Sequence, residues 1–307
     1  MRGARRIGIL IAGLVAVAAA PACAEWAPAP FAPEIGSRWR VAVTDSTTDS
    51  LRGTTGTLTY GFDLTYEART DAGYRILYVL KTVETEGNAP SLPVASAAIA
   101  VLKDLPIRAV TDADGRPIAL ENAAEVTAAV RIAGDRLVST MADTPQAAAV
   151  LRRLLGELAS TRGPAAAQAY LAPLPLLAEA QNTPLEPGDE VHARSALPSP
   201  FGPPILSEKV VALGPDPRPD LYVVTESEAL DAAAAKAALD ALTQRLTPKE
   251  GDKSPPQIAL SVTRMQRIEV AGGMSRHAHT EERTDAQFAG QTAKRHRQVD
   301  VTVTPAP

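Results

Sequence analysis

The chain has 307 residues, 45% of them hydrophobic and 21% charged, enough for a sizeable core in one or two domains. Aromatics make up only 4%, and 26 prolines outnumber 20 glycines, so the core must be built from Leu, Val, Ile and Ala, with proline-stiffened loops between elements. The formal charge of −4 gives no reason to expect a nucleic-acid partner.

The first 24 residues read as an export signal. Arg2, Arg5 and Arg6 precede an apolar run from Ile7 to Ala20, and Ala22-x-Ala24 supplies the small residues of a cleavage site. Cleavage after Ala24 removes those three arginines and no acid, taking the formal charge from −4 to −7. The only cysteine, Cys23, leaves with the leader, and no intramolecular disulfide can form either way. The competing expectation is acylation of Cys23 as a lipid anchor. Ala20 and Pro21 stand where lipoprotein signals favour other residues, so soluble export to a periplasm or the exterior is preferred. No later stretch is apolar enough to span a bilayer.

Residues 25–35 form a Pro/Ala-rich spacer in which Trp26 and Phe31 are free to dock on the fold. Residues 36–307 are expected to fold as one β-rich domain. Within it the pattern allows two related halves, 36–144 and 185–305, joined by a helical segment, 145–181. Glu34-x-Gly36 and Glu186-x-Gly188 each open a strand pattern, which is the hint of relatedness.

Trp39, Val41 and Val43 alternate as a first strand, followed by a polar loop or frayed strand through Gly53. Leu58, Tyr60, Phe62, Leu64 and Tyr66 then share one strand face, turn near Asp71–Gly73, and return through Tyr74, Ile76, Tyr78 and Leu80. Residues 93–105 suit a short helix. A second hairpin flanks Asp114-Gly115, whose acids Asp112 and Asp114 make a turn rather than a calcium loop, because Ala119 and Leu120 fall at ligand positions.

The helical centre begins after Asn122 and is expected to pause at Gly134-Asp135. Its main helix starts at Pro145 with an apolar stripe of Val150, Leu151, Leu154, Leu155 and Leu158. Gly163-Pro164, Pro173 and Pro175 break up the rest of the helical segment. Beyond it, the proline-rich stretch 197–205 reads as a loop, 226–246 as a helix, 247–256 as a solvated connection, and the final fifty residues as three antiparallel strands.

The fold class expected is therefore α+β: a curved antiparallel sheet, or sheets, with helices packed across one face and a helical segment dividing two β-rich halves. The layout of export signal, long hairpins and intervening helices resembles the periplasmic lipoprotein carriers and the mycobacterial lipid-binding lipoproteins, whose fold is a curved antiparallel sheet with helices over its open side. The likeness is architectural, and no binding residue carries over from it.

Two constellations invite chemistry. His277 and His279 sit on alternate positions of one strand, with Glu281 and His296 nearby, a candidate metal pair lacking an assured third ligand. An exposed strand face is the plainer explanation. Seven basic residues between positions 264 and 297 make a locally positive face suited to Arg/Glu pairing across strands, or to an anionic envelope surface. No nucleophile elbow, phosphate loop, metalloprotease motif or thiol pair occurs, so no catalytic residue and no cofactor are assigned. The functional expectation is a non-catalytic envelope protein that binds a lipid-like ligand between sheet and helices. Tyr60, Phe62, Tyr66, Tyr78, Leu151, Leu154, Leu155 and Leu158 would line that site. Two alternatives stand beside it: an assembly protein acting through a protein–protein surface, and a hydrolase with an unrecognised carboxylate site.

Overall fold

Alternation of apolar and polar residues dominates the strands, and the computed structural model follows it. The structure describes residues 31–140, 144–178, 188–199, 202–215, 222–231, 258–271, 273–288 and 291–306, with 233, 236 and 237 besides. The first block holds β1 (Arg38–Asp49), β2 (Thr54–Arg69), β3 (Gly73–Gly87), α1 (Leu92–Ala100), β4 (Pro106–Asp112) and β5 (Pro117–Leu120). The centre holds α2 (Ala123–Thr140), α3 (Pro145–Ser160), α4 (Gly163–Tyr170) and a 3₁₀ turn at Leu174–Leu177. The last block holds β6 (Glu190–Ser199), β7 (Gly202–Pro215), β8 (Tyr222–Leu230), β9 (Ile258–Ala271), β10 (Met274–Phe288) and β11 (Gln291–Pro305).

All eleven strands join one antiparallel sheet in the order β5-β4-β3-β2-β1-β11-β10-β9-β8-β7-β6. The expected curved sheet is corrected by the structure, and the two β-rich blocks on either side of the helical centre join in this one sheet. The sheet is open, neither curved nor closed, with β5 and β6 as its edges. The two blocks merge because β11 pairs with β1 over its whole length, setting Val301 opposite Val43 and Val303 opposite Val41. That register puts both valine rows on one face and satisfies the backbone groups that β1 would otherwise leave bare.

The helical centre occupies the crossover that this order demands. The chain leaves the sheet at one edge strand, β5, and re-enters at the opposite edge, β6, about 48 Å away at ordinary strand spacing. On the way, α4 packs on β5 and the 3₁₀ turn on β10, while α3 lies against α2 and against α1, which joins β3 to β4 and packs on β3. Fully buried side chains from both layers, among them Phe62, Leu64, Ile76, Leu80, Leu151 and Leu171, form one continuous core.

Several local expectations change. Helix α2 runs through Gly134-Asp135 to Thr140 instead of ending there. Gly134 serves the packing, since a Cβ built on it would sit 2.6 Å from Leu155 Cδ1 of α3. Asn122 does not cap α2 with its side chain; its Oδ1 accepts the Arg108 amide and its Nδ2 donates to the Pro106 carbonyl, tying the helix start to β4. The buried stripe of α3 is Ala148, Leu151, Leu155 and Ala159, one step round from the expected one, and Val150 and Leu154 are exposed. The proline-rich stretch after residue 197 is not a covering loop, because β6 and β7 pair as far as Ser199 and Gly202. Residues 226–230 continue strand β8 where a helix was expected, since they extend the pairing to β7 and β9. Most of the remainder of that stretch, the connection 247–256, and the leader with Trp26 lie outside the described residues.

Candidate functional site

The eight residues expected to line a ligand site do not share one environment. Phe62, Tyr66, Tyr78 and Leu151 are buried in the core. The Phe62 and Tyr78 rings lie 4.6 Å apart between centroids, and Tyr66 meets Tyr74 edge-on at 5.8 Å. Phe31 closes on both, 6.0 Å from Tyr66 and 5.6 Å from Tyr74, and its carbonyl accepts the Tyr74 hydroxyl. Burial pushes the Tyr66 and Tyr78 phenols above their ordinary range. Leu158 packs partly buried against the same core, and Leu154 stands exposed. Tyr60 and Leu155 differ from the rest in also bordering open space.

A cleft of about 430 Å³ opens between β5, α2 and α4. Its walls are small and apolar: Ala119, Leu120, Ala123, Ala124, Ala128 and Ala166. Helical spacing sets Thr127 and Arg131 on the same face of α2 as those alanines. From the other side come Thr161, Arg162 and Tyr170, and among the described residues no carboxylate lines the cleft. Gly163 enters α4 at φ +62°, a left-handed conformation that favours glycine, and so turns the chain sharply out of α3. Arg162 donates to the Ala159 and Thr161 carbonyls at 2.6 and 2.8 Å, which holds its guanidinium at the end of α3. Tyr170 is 3% exposed, and its hydroxyl is buried without a hydrogen-bond partner. Thr127 stands near enough to favour the phenolate, yet no hydrogen bond of ordinary geometry closes between them. Burial raises the phenol while Thr127, Arg162 and Arg131 pull the other way. Arg131 also borders a narrower groove of about 190 Å³ between α2 and α3, with Val130, Val138 and Leu155 in its walls.

A second cleft, about 320 Å³, lies on the sheet beside Ala172 and Pro173 and is floored by Val43, Tyr60, Thr280 and Val299. It marks the place where the helix-facing side of the sheet changes character. One row of this face reads Val43, Val301, Ala278, Ile268 and Val224 across adjacent strands. Two rows along, the same face reads Lys209, Glu228, Arg264, Glu282 and Arg297, alternating in sign. Arg297 clamps Asp45 with its Nε and Nη2, the shortest contact being 2.7 Å, and this pairing raises the guanidinium further. Burial first and the Asp45 carboxylate second push Tyr60 up to about 12.

The histidine pair lies on the opposite face. His279 Nδ1 stands 2.7 Å from Asp300 Oδ1, and His277 Nε2 is 3.7 Å from the same oxygen. Glu281 and His296, the possible further ligands, pair with each other at 2.7 Å, and Arg283 joins Glu281 to hold its carboxyl below the usual range. Among the described residues, no group of three or more His, Cys, Asp or Glu side chains could hold a metal ion. Nor is any described helix long and apolar enough to cross a membrane.

Sequence reasoning did not single out Arg131, Arg162 or Thr127. The available signal was the i, i+4 pair Thr127/Arg131 on an alanine-rich helix face, which reads as ordinary surface until α4 is set beside it.

No protein-family model matches the chain, and no curated protein is significantly similar to it. Among solved structures, the chain is similar to one titled as lipid–protein interactions in lipovitellin, at 11% identity and a TM-score of 0.41. The match covers 89% of this chain and 26% of that one, so the chain spans about a quarter of its length. A likeness of that size says nothing of what this chain binds.

Proposed function

We propose that the protein is an exported, non-catalytic binder of an apolar or amphipathic, lipid-like ligand held between the sheet and the helices. The observation that carries this is the cleft of about 430 Å³ between β5, α2 and α4, walled by alanines and a leucine and rimmed by hydroxyls and guanidinium groups. A concave, mostly apolar space with a few convergent polar groups is the usual form of a small-molecule site. Phe62, Tyr66, Tyr78 and Leu151 serve this reading indirectly, by fixing the sheet and helices that frame the cleft. Tyr60 serves it directly, as the floor of the second cleft. Export is supported by Arg2, Arg5 and Arg6 ahead of the apolar run Ile7–Ala20, and the intact mass of the exported protein distinguishes a chain starting at Glu25 from one acylated at Cys23.

Mass spectrometry of an organic extract of the natively purified protein tests the binding. A lipid-like species in near-stoichiometric amount is expected. A protein that carries none, and retains a partner polypeptide in its place, favours the assembly reading, in which the exposed edge strand β6 is the surface to map.

A further inference from the structure

We infer that the cleft between β5, α2 and α4 takes the anionic headgroup of an amphiphile, with Arg131, Arg162 and the Tyr170 hydroxyl as its polar anchors and the alanine wall against its chain. This deepens the proposed function and rests on it, by naming the polar end of the ligand and the residues that meet it.

Three observations converge. The Tyr170 hydroxyl is buried with Thr127 beside it but closes no hydrogen bond of ordinary geometry, and a donor left poorly satisfied in the interior is costly. Such a group lining a cleft marks the place where an acceptor belongs. Next, among the described residues two guanidinium groups and no carboxylate line the cleft, in a chain whose formal charge is −4. Arg131 makes no ion pair among the described residues, and Arg162 uses only one guanidinium nitrogen, Nη1, in its bonds to backbone carbonyls, which leaves donors of its planar fork free. Finally, α4 starts without a side-chain cap, so its N-terminal end adds positive potential on the same side, although Pro164 supplies no amide hydrogen.

Every polar group here apart from the two threonine hydroxyls therefore offers hydrogens or positive charge, and the matching ligand atom is an acceptor with negative charge. A carboxylate or phosphate satisfies both arginines and the phenol; a neutral headgroup leaves the guanidinium charges uncompensated, and an ammonium is repelled. Apolar walls argue against a bare inorganic ion, which would leave Leu120 and the alanines facing water. The groove between α2 and α3 shares Arg131 with the cleft and sets Val130, Val138 and Leu155 beside Asp135 and Arg152.

The test is calorimetric titration of the delipidated full-length mature protein with decanoate, decanol and inorganic phosphate in turn. Decanoate is expected to bind at least about tenfold more tightly than decanol, as charge-assisted hydrogen bonds would give. That advantage should vanish in Arg131→Gln, whose side chain is exposed and whose loss leaves the fold intact, and shrink in Tyr170→Phe. Equal affinity for decanoate and decanol overturns the anionic headgroup while leaving the cleft as a lipid site. Inorganic phosphate binding as tightly as decanoate overturns the amphiphile, and no binding of any of the three overturns both this inference and the reading beneath it.

Discussion

Tyr66 and Tyr78 carry their phenols inside the core, where a phenolate would have neither water nor a nearby cation, and burial raises both above the ordinary value. Tyr60, half-buried at the edge of the same core, is pushed up to about 12. In the unfolded chain all of them titrate near a pH of about 10. Below that pH neither state gains or loses these protons, and stability is unaffected. Above it the unfolded chain releases protons that the folded chain still holds, so stability falls as pH rises toward the folded values. A spectrophotometric titration of phenolate absorbance should find these tyrosines silent at a pH of about 10 and ionising together as the protein unfolds at higher pH. A native protein whose phenols all titrate reversibly in the ordinary range would contradict their burial. Gly115 shows the same economy of space in the backbone: it adopts φ +79° in the β4–β5 turn, and a Cβ there would lie 2.8 Å from the Phe31 ring and 2.9 Å from Ala178. The Asp114-Gly115 turn was legible in the sequence for its conformation, but not for the ring packed over it.

Among the elements, α3 separates what sequence can show from what only packing decides. Its start at Pro145 and its helical period were readable. The stripe was not, because Val150, Leu151, Leu154, Leu155 and Leu158 span more of the circumference than one contact face, and small residues at Ala148 and Ala159 turned out to complete the buried side. Helix α3 meets α1, α2 and the start of α4, and Leu155 seats itself over Gly134. The two leucines therefore part ways in a prediction. Leu151→Ala removes a side chain with no exposed surface and should cost about 2–5 kcal/mol, whereas Leu154→Ala, 39% exposed, should change stability by no more than about 0.5 kcal/mol. Urea denaturation with unchanged slope measures both; equal losses at the two positions would mean that the helix is rotated from the orientation described. The strands were easier to read, since period-two alternation survives in every one of β1, β2, β3, β4 and β11. Less readable was that one face changes from apolar to charged along its strands, because Glu282 and Arg297 keep the phase of Ala278 and Val301 and differ only in how far the helices cover them.

For the whole molecule, the decisive contact is β1 with β11, joining residues some 250 positions apart in sequence into the middle of one sheet. No local pattern announces such a partner, so the way the two β-rich blocks meet within the one expected domain was not legible in the sequence. From the β6 edge the order runs 6 to 11 and then 1 to 5, two meanders in the same sense. Each opens on a glycine of positive φ, Gly36 at +84° and Gly188 at +89°, whose amides donate to Tyr66 and Leu213 carbonyls of a neighbouring strand. The edge-to-edge crossover imposed by the strand order is what brings α2 and α4 beside β5 and leaves a cleft there. The claim that this cleft is where the protein works is tested most directly by photo-crosslinking with a diazirine-bearing fatty acid, then peptide mapping of the adduct. The account predicts label on the segments 119–131 and 161–170; label confined to other surfaces, or spread evenly over the protein, would contradict it.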